Sequence, residues 1–342
     1  MMPGASRSRL KHRLRAVVDR AAAWTGALAA RERALRGVLT ILTYHRVLED
    51  DAWGAAPLPG LAVPRSAFGA QVAWLARRFE IVDVWTGLGR LSAPGRRERP
   101  LLSITFDDGH RDSAQIAAPI LEQARVRGTF FLVSGFVGSD RTLWFDCVAR
   151  WHATASDAQL RSTLARVGRA ADARERPTLR TILETLKSAD PGVRAECVAA
   201  ARNAVGESDA DRAMTVEQSR ALARAGHEIG AHSATHPILT REDDASLERE
   251  IVECKGDVER LAGVPVRGFC YPNGSFDERV LGVVGRAGYK YCCATRSGRV
   301  TGRENPLCLP RINMSVDHAT FPRGVFSERR LRMELAWGDQ RG

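Results

Sequence analysis

Asp107 and Asp108 stand side by side in "SITFDDGH", behind an apolar run and in front of a glycine. Leu101 to Phe106 is short, β-prone and bounded by a turn signal, which predicts an interior strand. An Asp-Gly turn accounts for Asp108 and Gly109 but not for Asp107. Adjacent carboxylates repel, and a strand end limits their solvation. A metal ion or a neighbouring cation resolves that conflict.

Partners for such an ion occur in "HSATH", where His232 and His236 are four residues apart. On one helical turn or in a tight loop, both imidazoles fall on one side. The pair follows the apolar segment Ile229–Ala231 and precedes Pro237, which stops a long helix. These are marks of a strand-end loop, where α/β folds place their chemistry. Two His and one carboxylate form a facial ligand set with open positions for water and substrate. One aspartate suffices as ligand, so the other is free to take a proton from the water, and the two carboxylates divide the labour.

The elements needed to position these groups are legible as alternating strands and helices. Strand-like runs occupy 38–47, 79–84, 101–106, 128–138 and 289–295, with 227–237 read as strand plus loop and 266–274 as strand then turn. Helical spacing occupies 66–79 (with Ser66 as the expected N-cap), 113–125, 215–225, 244–262 and 277–287. The alternation predicts parallel strands in an α/β sheet or barrel. Residues 152–213 are rich in Ala, Arg, Glu and Asp and read as a helical insertion. The expected organisation is a basic N-terminal helix over 1–37, a catalytic domain over 38–322 and a C-terminal tail over 323–342.

The chain has 342 residues, 44% hydrophobic and 27% charged, enough to bury a sizeable core. Lys and Arg total 51 against 40 acidic residues, a net charge of +11. That surplus suits an anionic neighbour, or reflects an arginine-heavy composition. The basic residues are dispersed without interleaved aromatics, so no nucleic-acid partner is expected. The seven cysteines form no Cys-x-x-Cys pair, which fits a reducing compartment better than a disulfide framework. No run reaches ~18 apolar residues, so no spanning helix is expected. The basic N-terminus reads as an amphipathic helix touching anionic membrane, giving a cytoplasmic or membrane-peripheral expectation. Ala27-Leu28-Ala29 resembles a small-residue cleavage site, which leaves secretion open as the alternative.

"TFDDG" and "HSATH", in this order and at strand ends, resemble the first two motifs of the polysaccharide deacetylases, the nodulation-factor deacetylase homology domain of carbohydrate esterase family 4. "GTFFLVSGF", the "GHEIGAHSATHP" context and "YPNG" extend the resemblance to roughly residues 38–314. The resemblance implies a distorted (β/α) barrel of about seven parallel strands. It also implies Asp107 as catalytic base and Asp108, His232 and His236 as ligands of a divalent metal, zinc first. The implied reaction is hydrolysis of the acetamide of an N-acetylated sugar in a polysaccharide or oligosaccharide.

Two departures from the family pattern bear on the site. The third motif reads Cys270-Tyr271-Pro272-Asn273-Gly274, keeping the turn and assigning the oxyanion N–H to Asn273. The arginine that normally braces the base is replaced by Cys270, and Arg311 in "LPRINM" is the candidate substitute. The usual C-terminal Leu-x-His motif is missing. His45 in "ILTYHRV" is the expected general acid, in the permuted order of poly-N-acetylglucosamine deacetylases, with His318 as second candidate. Trp144, in "TLWFDCVARW", either stacks on sugar in the cleft or anchors the insertion. The rival functions are an O-acetyl esterase or small-amide hydrolase on the same site, and a non-catalytic glycan- or nucleic-acid-binding module.

Overall fold

The computed structural model describes residues 26–95, 97–168, 175–314 and 324–337. Ten strands follow in chain order: β1 (Leu39–Tyr44), β2 (Arg46–Leu48), β3 (Ala62–Pro64), β4 (Glu80–Ile81), β5 (Leu101–Phe106), β6 (Thr129–Leu132), β7 (Glu228–Ala231), β8 (Gly268–Cys270), β9 (Tyr291–Cys293) and β10 (Ile312–Asn313). Seven of them form one path, β10-β1-β5-β6-β7-β8-β9, with β4 beside β5; β2 and β3 pair separately. Every pairing along the path is parallel. Leu309 bridges Cys293 of β9 while Ile312 pairs with Leu42 of β1, so one short segment touches both ends of the path. The result is the expected distorted (β/α) barrel.

β1, β5 and β6 are buried along their whole length and mostly apolar because both faces are covered. Alternate side chains serve different layers. Leu39, Ile41, Phe131, Cys270, Tyr291 and Cys293 belong to one buried cluster, enclosed by the strands. Leu42, Tyr44, Phe130 and Leu132 join another, with Phe68, Leu121, Leu222 and Val258 from the surrounding helices.

Local signals fix most of the helices. Thr215 and Gln218 form a capping box on Val216–Arg224. Ser66 does not cap its helix: Arg65–Arg78 starts behind Pro64 without a side-chain cap, and the Ser66 N–H donates to Asp50 Oδ1 at 3.0 Å. Pro64 fixes the entry φ, and Asp50, from outside the helix, takes a first-turn N–H in place of an N-cap side chain.

The segment read as an insertion is helical at Asp157–Arg166, Leu179–Ser188 and Pro191–Val205. With the preceding helix, Trp144–Thr154, these helices build a core of their own that includes Val133 and Phe136 from the end of β6. At the termini, Ala27–Ala34 and Glu328–Trp337 are helices. They pack Leu28 against Met333 and Ala336, and Glu32 pairs with Arg332 at 2.7 Å. Residues 1–25 of the expected basic helix lie outside the described residues.

The end of the barrel away from the aspartate pair carries a half-buried acid. Glu228 Oε2 accepts from Thr129 Oγ1 at 2.9 Å and from the Trp85 N–H at 3.1 Å. Burial, reinforced by nearby Asp83, pushes its carboxyl up to about 7. A carboxyl raised in the fold binds its proton more tightly there than in the unfolded chain, so stability falls as pH climbs from the ordinary carboxylate range through 7. The penalty at pH 8 is up to ~3 kcal/mol, at 1.36 kcal/mol per pH unit. Glu228→Gln keeps an acceptor for both donors and removes the charge. The variant should match the wild type in Tm near pH 5 and exceed it by several degrees at pH 8; an equal Tm difference at both pH values contradicts the assignment.

Candidate active site

The chemistry-bearing residues lie where strands end. In register, Thr43 pairs with Thr105 and Tyr44 with Phe106, so the next residues, His45 and Asp107, are neighbours. The Asp107 N–H donates to Tyr44 O at 3.0 Å, extending the ladder by one step. β7 ends at Ala231, which pairs with Leu132 on one side and Phe269 on the other, and His232 follows. β8 ends at Cys270 and leads into the Tyr271-Pro272-Asn273 turn. This is the carboxyl end of a parallel barrel, where loops rather than the packed interior carry function.

The loops are held in unusual backbone conformations. Among the described residues, five non-glycine residues have positive φ, and four of them belong to this site: Asp108 (78°), Ser233 (66°), His236 (59°) and Asn273 (55°). Such conformations persist only when the surroundings fix them, and they gather at functional sites. Gly109, with φ 90°, completes the turn after Asp108 at no steric cost. The "HSATH" loop is fixed by Glu250: its Oε2 accepts from the Ala234 and Thr235 N–H groups at 2.9 and 2.8 Å, and its Oε1 from Thr235 Oγ1 at 2.6 Å. The His236 N–H donates to Ser233 Oγ at 2.9 Å.

This geometry brings three predicted ligands together. His232 Nε2 and His236 Nε2 each lie 3.4 Å from Asp108 Oδ1, and all three residues are buried. His232 Nδ1–H donates to Cys270 O at 2.7 Å, which turns the Nε2 lone pair toward Asp108. Both Asp108 oxygens are buried without a hydrogen-bond partner, a costly arrangement unless a cation satisfies them. Burial opposes ionisation of Asp108, but the His232 imidazole leads the effects that hold it below the ordinary carboxylate range. Burial pushes His236 down to about 3, the neutral form a metal ligand needs. The donor set, its spacing and the orphaned carboxylate therefore fit a divalent cation.

Asp107 is held differently. Arg311 grips it with two hydrogen bonds, Nη1 to Oδ1 at 2.8 Å and Nη2 to Oδ2 at 2.7 Å. Burial alone raises such a carboxyl, but the guanidinium overrides it and holds Asp107 at about 2. Arg311 is itself fixed by donating to Thr105 Oγ1 and Ala294 O, both at 3.1 Å. Cys270 fills the space beside this pair, with Sγ 3.5 Å from Asp107 Oδ2 and 3.0 Å from Arg311 Nη2. His45 Nε2 is 4.0 Å from Asp107 Oδ2.

These groups open into a cleft of ≈ 220 Å³. His45, Asp107, Asp108, His232, His236, Tyr271 and Asn273 line it, as do Leu58, Leu61, Phe145, Leu183, Lys187 and Thr295. Pro272 is buried in the turn, and Tyr271 Oη donates to Leu307 O at 2.8 Å, anchoring it. A roomier cleft of ≈ 520 Å³, between Ala27–Ala34 and Glu328–Trp337, holds none of these residues.

Trp144 departs from the cleft role proposed for it. It is 9% exposed, and its indole N–H donates to His236 O at 3.0 Å. Its neighbour Phe145 faces the cleft, with its ring centroid 5.0 Å from that of His236. Successive helix positions point about 100° apart, and here Phe145 rather than Trp144 lines the cleft. His318 lies outside the described residues.

Sequence reasoning missed Glu250, Leu183, Lys187 and the pair His110–Asp146, joined at 2.8 Å with His110 Nδ1 3.8 Å from Asp108 Oδ2. The nearest sequence signal was His110 itself, two residues beyond Asp108.

Comparison with known proteins agrees with this geometry. A sequence model of the polysaccharide deacetylase family matches residues 95–292, more than half of the chain. Over 68 residues the chain is 29% identical to the uncharacterized protein YlxY of Bacillus subtilis (strain 168), covering 20% of this chain and 21% of YlxY. The chain thus spans about a fifth of that relative's length. Among solved structures, it resembles the Streptococcus pyogenes deacetylase PplD, determined in complex with acetate, with TM-score 0.55 and 16% identity over 82% of this chain and 94% of that one. It also resembles IcaB from Ammonifex degensii, with TM-score 0.55 and 17% identity over 88% and 97% of the two chains. At these identities the likeness to both is one of fold.

Proposed function

The chain belongs to the polysaccharide deacetylase family, and we propose that it hydrolyses the N-acetyl group of an N-acetylated sugar in an oligosaccharide or polysaccharide. The observation that carries this reading is the division between the two adjacent aspartates. Asp108 faces two imidazoles with its oxygens unpartnered, while Asp107 is gripped by Arg311.

Asp108, His232 and His236 would hold a divalent cation, zinc first, which when bound would supply Lewis acidity at the acyl oxygen and the attacking water. Asp107, kept ionised by Arg311, takes the proton of that water as it attacks the carbonyl carbon. The Asn273 backbone N–H donates to the oxygen that gains charge. His45, on the cleft wall, gives a proton to the nitrogen as the C–N bond breaks, so acetate and a free amine leave. Leu58, Leu61, Leu183 and Phe145 offer apolar surface to the methyl group and to the C–H face of a sugar ring.

The seven cysteines are free and six are buried, and no helix among the described residues is long and apolar enough to cross a membrane. The free thiols and the net charge of +11 support the cytoplasmic or membrane-peripheral placement, with contact to anionic lipid through the basic N-terminus.

An acetate-release screen tests the reading. N-acetylglucosamine oligosaccharides should release acetate, chelator treatment should abolish release, and Zn2+ should restore it. The matched O-acetyl esters should be poorer substrates. Chelator-insensitive release, or release from esters alone, contradicts the proposal. His45→Ala should lower turnover ~10²- to 10⁴-fold, the range of one general acid, with metal content unchanged. Wild-type turnover in that variant removes His45 from the mechanism.

A further inference from the structure

The helical insertion contributes one cation to the cleft. Lys187, on the helix Leu179–Ser188, lines the same cavity as Asp107, Asp108 and the imidazoles, beside Leu183 of its own helix. Its ammonium pairs with the exposed Glu184, one turn back, at 3.1 Å. Surface pairs of this kind are weak and easily exchanged for another anion.

The charge balance of the cleft gives Lys187 a direction. Arg311 cancels Asp107, and Glu184 cancels Lys187. A divalent cation held by Asp108 would therefore leave one positive charge in excess, and exchanging Glu184 for a substrate anion would leave Lys187 free to meet that anion. A concave site with low-dielectric walls, here Leu58, Leu61, Leu183 and Phe145, focuses such a field and raises the local concentration of anions. The cavity of ≈ 220 Å³ is below the ~300–1,000 Å³ of clefts that enclose drug-sized ligands, so it holds little more than one sugar ring. A charge read by Lys187 must then lie on the reacting sugar or on the group attached to it.

Resting on the deacetylase reading above, we infer that the substrate is an N-acetylated sugar with an anionic group on the same or the adjoining residue, and that Lys187 is the residue that selects it. A uronate carboxylate and a phosphate joining the sugar to a carrier offer Lys187 the same chemistry. In this exchange the Lys187 ammonium gives up Glu184 and takes the substrate oxygen.

The test compares acetate release from three matched substrates by the full-length, zinc-loaded protein. These are a neutral N-acetylglucosamine trisaccharide, the same trisaccharide with a neighbouring hexuronate, and N-acetylglucosamine on a short diphospho-alcohol. At least one anionic substrate should exceed the neutral one in kcat/KM by about tenfold at low salt, through KM, with the advantage shrinking as salt rises. Lys187→Met should bring the anionic-to-neutral ratio close to one, Lys187→Arg should keep most of it, and Lys187→Glu should invert it. Whichever anionic substrate gains identifies the source of the charge. A wild-type ratio of one, or a ratio unmoved by Lys187→Met, overturns this inference while acetate release from the neutral substrate leaves the deacetylase reading standing. Release from none of the three sinks that reading and this inference with it.

Discussion

Asp107→Asn is expected to lower turnover on an N-acetylated oligosaccharide by ~10³-fold or more while the protein keeps its metal ion. The side chain keeps its shape, but the amide cannot accept a proton. The ligand set Asp108, His232 and His236 is untouched, and Asp107 sits outside it, on the Arg311 fork. His232→Ala is the matched control: it removes a ligand, so activity and bound metal should disappear together. Metal analysis and turnover, measured on both variants, separate the two roles. An Asp107→Asn protein that turns over at the wild-type rate, or that purifies without metal while His232→Ala keeps it, reverses the division of labour between the aspartates.

Arg311→Met carries the largest expected effect on stability. Arg311 and Asp107 are both buried and joined by two charge-assisted hydrogen bonds. Removing one partner leaves the other charge buried and unpaired, a loss of ~3–5 kcal/mol. Asp107 responds by protonating more readily, because burial no longer meets an opposing guanidinium. The sign follows. The wild-type carboxyl, held at about 2, is ionised across the working range, so the stability it contributes is lost only in strong acid. In Arg311→Met the base protonates at higher pH, so the acid limb of the activity profile moves up, and the Tm deficit is greater at pH 8 than at pH 5. Adding Asp107→Asn to Arg311→Met should recover part of the lost Tm, since no buried charge is then left alone. An unchanged Tm and acid limb in Arg311→Met contradict the bracing role.

Much of this site was legible in the chain because its signals are local. An apolar β-prone run before Asp107-Asp108-Gly109, and a histidine pair after Ile229–Ala231, mark strand ends whatever surrounds them. Parallel pairing then places those ends together. Arg311 was reachable by elimination, since Cys270 stood where the resemblance led one to expect an arginine, and the structure puts the guanidinium on Asp107.

The remainder depends on tertiary placement. Leu183 and Lys187 reach the cleft only because the insertion folds back over the barrel end, and their helix reads as an ordinary amphipathic one. Trp144 and Phe145 are adjacent, and sequence alone does not say which ring faces the cleft. Glu250 lies in a polar run, where a buried acid that ties down the "HSATH" loop carries no distinguishing mark. The helix at Glu328–Trp337, read as part of a tail, is held by packing against Ala27–Ala34 across nearly the whole length of the chain.

The central claim is that Asp108, His232 and His236 share one cation while Asp107 does not. Anomalous diffraction at the zinc edge, on crystals of the zinc-loaded protein, tests it most directly. The account predicts a single strong peak ~2.0–2.2 Å from Asp108 Oδ1, His232 Nε2 and His236 Nε2, with Asp107 still on Arg311. A peak coordinated by Asp107, or density at another site with these three residues vacant, contradicts it.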